Sequence, residues 1–169
     1  MAPDLVAADL TSIWQGLEAT PVGAAVRESL WLFPAIETLH LIGMAALITT
    51  IAAFDLRLLG LVMRDLRVQE LARRLFPWAW AGFSVQVVTG ALLFSSEATK
   101  MAVNPAFRLK MLMIALAGLH AVVFRWIACR DMPAWAPSSP TPLRGKIAGF
   151  VSLLLWIGVV AAGRWIGFI

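Results

Sequence analysis

Residues 33–54, FPAIETLHLIGMAALITTIAAF, run for 22 positions with Glu37 and His40 as their only ionisable side chains. A helix rises 1.5 Å per residue, so this stretch reaches about 33 Å and crosses the roughly 30 Å hydrocarbon core of a bilayer. Three further stretches read the same way, at about 75–94, 107–128 and 146–167. The third is the shortest: its uncharged core is only Met111 to Phe124, and Arg108, Lys110 and Arg125 must snorkel toward headgroups to complete it. The pattern predicts an all-α integral membrane protein, a four-helix bundle with spans alternating in direction.

Composition agrees. Of 169 residues, 60% belong to the set AVILMFWYC and 14% are charged, against about 25% charged in soluble domains. The formal charge of +4 does not point to nucleic acid. The basic residues stand in short loops beside apolar spans, where they set topology and meet anionic lipid. The implied partner is the lipid bilayer. Cys129 is the only cysteine, so no intrachain disulfide or cysteine cluster forms. Eight tryptophans and no tyrosine suit interfacial belts and packing.

Two regions follow: residues 1–29 as an amphipathic segment at the membrane surface, its helix carrying Leu5, Leu10, Ile13, Trp14 and Leu17, and residues 30–169 as the four-span domain. Asp4 and Asp9 near the start are unlike the basic n-region of a signal peptide. Thr20-Pro21 reads as a helix N-cap and first turn, Pro34 as a second start, Pro77 as the opening of the second span, and Asn104-Pro105 as the cap of the third. The first helix is expected to run on into the charged stretch Arg64 to Arg74. Met132 to Leu143 is a Pro- and Ser-rich loop. The loops after spans one and three hold nine Lys and Arg and the other side five, which puts both termini outside, in the periplasm, if the membrane is a bacterial inner membrane.

Ionisable groups at membrane depth need a partner or a purpose. The only histidines, His40 and His120, fall in spans one and three. Histidines facing a bundle core from two helices hold b-type haem, with Gly43, Ala46, Ala117 and Gly118 giving room for the macrocycle and Arg108, Lys110 and Arg164 available for its propionates. Their depths differ, about 9 Å for His40 and 15 Å for His120 from the outer boundary at 1.5 Å per residue. Alternatively both histidines only hydrogen-bond neighbouring helices, with no cofactor at all. Copper is the other metal reading, from His40 and Met44 on one helix face together with His120, and Met111 and Met113 on helix three. Glu37, one turn before His40, would orient the imidazole, or pair with Arg27 or Arg164 at the headgroups. Gln86 reads as interhelical glue. No hydrolase or transferase motif is present, so electron transfer is the most that enzyme chemistry would amount to.

The segments SLWLFPAIETLHLIG, FDLRLLGL, PWAWAGF, VVTGALLF, NPAFRLKMLMIALAG and LLLWIGVVAAGRWIGF resemble those of a family of small bacterial inner-membrane proteins with no assigned activity. The likeness spans Arg27 to Ile169. It implies a four-span bundle, and more distantly a likeness to the membrane part of copper-resistance D proteins and small b-type cytochromes. PAIETLH around His40 fits the family pattern. At the His120 position the resemblance implies asparagine, which leaves open a site shared between protomers through His40. The readings of function are a haem b electron-transfer protein, a non-enzymatic accessory or assembly subunit of a homo-oligomer or larger membrane complex, and a copper-handling or transport protein. Four spans are few for alternating access.

Overall fold

The computed structural model describes residues 3–127 and 141–169, and the remainder of the Met132 to Leu143 loop lies outside them. Seven helices follow in order: α1 (Pro3–Glu18), α2 (Pro21–Glu28), α3 (Leu32–Leu59), α4 (Val68–Ser96), α5 (Ala98–Val103), α6 (Pro105–Ile127) and α7 (Leu143–Trp165). No strand occurs among the described residues. Helices α3, α4, α6 and α7 are each long and apolar enough to cross a membrane. This is an all-α, multi-pass membrane protein.

The helix ends follow from local chemistry. Thr20 accepts a hydrogen bond from the Gly23 N–H at 3.2 Å, so a separate short helix starts at Pro21, as the Thr20-Pro21 pair suggests. Asn104 Oδ1 accepts from the N–H groups of Ala106 and Phe107 at 2.9 and 3.0 Å, capping α6, while its Nδ2 donates to Ile169 O at 2.8 Å. Helix α3 does not continue into Arg64 to Arg74 as the charge pattern suggests. Gly60 takes φ 75°, its N–H bonds Arg57 O, and the Leu61 N–H bonds Leu56 O, both at 3.0 Å. This double closure stops a helix, and glycine enters it without a Cβ penalty. The chain becomes helical again at Val68, so Pro77 lies inside α4 instead of opening it.

The span backbones pack in the order α4, α3, α7, α6, and α4 meets α6 through side chains: the Phe94 and Phe107 rings stack with centroids 5.3 Å apart. α3 and α6, expected as diagonal neighbours, approach through side chains: the Phe54 and Phe124 ring centroids are 6.2 Å apart. Phe54 also meets Phe76 edge-on, over a small core with Leu58, Val68 and Ala72. One end of the bundle, the terminal end, carries α1, α2, α5 and the carboxyl terminus. There Trp14 meets Phe94 edge-on and Glu18 accepts from the Thr99 N–H at 2.7 Å. At the opposite, loop end the Arg57 guanidinium is only 3% exposed. It donates to Leu66 O at 2.8 and 3.0 Å, and to Arg64 O and Thr141 Oγ1 at 3.3 Å.

Glycine sets the α3–α4 distance. A Cβ on Gly82 would stand 3.0 Å from both Gly43 O and Leu47 N, backbone atoms that move only if the helix moves. Without a hydrophobic drive between helices in lipid, such close packing is the main attraction available. Gly82→Leu is expected to lower stability by about 1–3 kcal/mol, the range for overpacking a filled contact. Gly118→Leu, at an exposed position with nothing within 4 Å of a Cβ, should show no loss. Thermal unfolding of both variants in one detergent tests the pair, and equal midpoints would refute the contact.

Candidate functional site

His40 lies two turns into α3, half-buried against α4. Its Nδ1 is 2.8 Å from Thr89 Oγ1. The Thr89 hydroxyl donates its single proton to Val85 O at 2.6 Å, so its oxygen can only accept from the imidazole. The proton of neutral His40 therefore sits on Nδ1 and the lone pair on Nε2. No hydrogen bond reaches Nε2 among the described residues. Gln86 Nε2 donates to the His40 carbonyl, and the missing side chain of Gly90 makes room for the ring, since a Cβ there would come within 3.3 Å of Cε1. An imidazole oriented through Nδ1–H, with Nε2 unprotonated, is the form in which histidine ligates a metal.

His120 is bonded the other way. Its Nε2 is 3.0 Å from Ala148 O on α7, and a carbonyl can only accept, so Nε2 carries the proton and is already engaged. The two rings are also far apart along the spans. Lys110, which acts on His40 electrostatically, stands ten residues before His120, about 15 Å along α6. Ala148 adjoins Gly149, whose Cβ position faces Asp55 O, and Asp55 is fifteen residues beyond His40, about 22 Å along α3. The structure does not bring His40 and His120 together as an axial pair.

The remaining candidates divide. The Lys110 stem runs along α7 at Gly163, whose Cβ would lie 3.6 Å from Cδ, Cε and Nζ, and no ion pair among the described residues includes it. His40 and Lys110 thus belong to one polar region in the terminal half of the spans. Glu37 is exposed one turn nearer that end. The cations proposed for Glu37 are engaged elsewhere: Arg27 lies 3.8 Å from Glu28, and Arg164 sits over the Phe168 ring at 4.9 Å. Arg108 donates to Ala102 O at 2.8 Å. Met44 is half-buried below His40 on its face, Met111 is exposed, and Met113 turns to Gly158 on α7, away from His40. No group of three His, Cys, Asp or Glu side chains is placed to hold a metal ion among the described residues.

The model of one protein family matches residues 32–169, all four spans and both histidines. The chain belongs to the DUF6644 family of unknown function. Comparison with curated proteins and with solved structures found no match. The DUF6644 match begins at the start of α3, so α1 and α2 lie outside it.

The bonding makes a direct forecast. With 15N-labelled histidine in lipid, at a pH where both rings are neutral, solid-state NMR should find two opposite tautomers, Nδ1–H for His40 and Nε2–H for His120. Thr89→Val should release the first and leave the second. It should cost about 1–3 kcal/mol by stranding a buried donor. The same tautomer at both rings of the wild type would contradict the assignment.

Proposed function

We propose that the protein is a small b-type haem electron-transfer protein of the bacterial inner membrane, with both termini periplasmic and the cofactor in the periplasmic half. The observation behind this reading is the unengaged Nε2 of His40, held in ligating form by Thr89. Haem b supplies a one-electron couple whose potential follows its axial ligands and surroundings. His40 would furnish one axial ligand, and Thr89 would keep its ring oriented. Lys110, a cation with no acidic partner among the described residues, would balance a propionate. His120 is assigned here to helix association, so the second ligand comes from a second copy or from a larger membrane complex. Copper(I) is the second reading, favoured by Met44 sharing the His40 face one turn away.

Protein purified from haem-replete cells should give the reduced-minus-oxidised bands of haem b. His40→Ala is expected to lose them. His120→Ala should keep them while costing about 0.6 kcal/mol, at most near 2, for one interhelical hydrogen bond. Pigment retained without His40 would overturn the assignment. A colourless wild type that holds stoichiometric copper would favour the second reading. One that holds neither would leave a non-enzymatic packing subunit.

A further inference from the structure

A carboxyl group lies between α3 and α7 near the loop end, and the His40 site makes no use of it. Asp55 is 3% exposed. Ser152 on α7 is the polar side chain that faces the carboxyl, while Oδ2 is buried with no hydrogen-bond partner among the described residues. The α3 and α7 backbones are close at this level: a Cβ on Gly149, one turn before Ser152, would stand 2.9 Å from the backbone carbonyl oxygen of Asp55. Arg57 does not neutralise it, because that guanidinium is engaged by Leu66 O, Arg64 O and Thr141. None of the ion pairs among the described residues includes Asp55. Of the other charged or titratable groups toward this end, His120 of α6 bonds Ala148 O and Glu70 of α4 pairs with Arg74, while Arg64, Asp65, Arg67, Arg73 and Arg125 are exposed, and Arg144 and Lys146 stand at the start of α7.

An ionised carboxylate offers about four acceptor positions. Here one hydroxyl faces them and an oxygen stays dry. Burying a charge so poorly matched costs several kcal/mol, whereas the neutral acid has far less to lose. We propose that Asp55 is a proton-binding site in the loop-end half of the membrane domain, holding its proton as a carboxylic acid and exchanging it with water at that end. The end of α3 is four residues away, about 6 Å, so the path is short. A proton fits better than a metal cation, because one carboxyl and one hydroxyl fall short of the six or more oxygens a hard cation takes. The inference does not depend on whether His40 binds haem.

Infrared spectroscopy of the protein in lipid at neutral pH should show a carboxylic acid C=O band that shifts in D2O, disappears in alkaline medium and is missing from Asp55→Asn. The amide matches the neutral acid in shape and charge, so this variant should fold. If it does not, wild type treated with dicyclohexylcarbodiimide, which attacks protonated carboxyls in apolar sites, should carry the adduct on the Asp55 peptide and lose it in alkaline medium. Absence of both the band and the adduct at neutral pH would overturn the proposal. Protection of Asp55 by sodium ions at constant pH would also overturn it, in favour of a metal-cation site.

Discussion

The absence of two side chains, at Gly43 and Gly82, brings α3 and α4 close enough for the terminal-half polar contacts to form. Gln86 reaches the His40 carbonyl and Thr89 reaches the His40 ring only because the two backbones are near at that level. In lipid a polar group has no water to fall back on, so each such pairing decides both a contact and a rotamer. A methyl group at either glycine would therefore alter the protonation pattern of the His40 imidazole as well as the packing.

Much of the architecture was legible from apolar run length and punctuation. Spans and the caps at Thr20 and Asn104 follow from hydropathy and side-chain chemistry that act locally. The misread places were those where a long-range partner or a single φ decides. Gly60 stops α3, and nothing in the charged stretch after it announces that. Asp55 and Arg57 look like the polar end of a span, yet both are buried on the packed face of α3. The buried stripe through Gly43, Leu47, Thr50, Phe54 and Leu58 shows the signal that was available. At the site, His40 and Lys110 stood out as ionisable groups at depth. Thr89 did not, because threonine is common in apolar helices and its role depends on which helix it faces.

The two histidines show how little residue type alone says. Both lie in spans and both are half-buried. Their difference lies in the neighbour: a hydroxyl whose proton is already committed for His40, a backbone carbonyl for His120. Each neighbour fixes which ring nitrogen keeps the lone pair: Nε2, the atom farther from the backbone, in His40, and Nδ1 in His120. That distinction separates a ligand from a tether, and no spacing rule contains it.

The helix order α4, α3, α7, α6 has a consequence for assembly. The pairs that follow each other in sequence, α3 with α4 and α6 with α7, are also neighbours in space, so each hairpin can close locally after insertion. The hairpins then join along the α3–α7 seam. That seam holds Asp55 against Ser152 and Gly149, and Arg57 against Thr141. Its polar groups lack these partners while the hairpins are apart and gain them together when they dock, which makes the last step of folding the one most sensitive to charge.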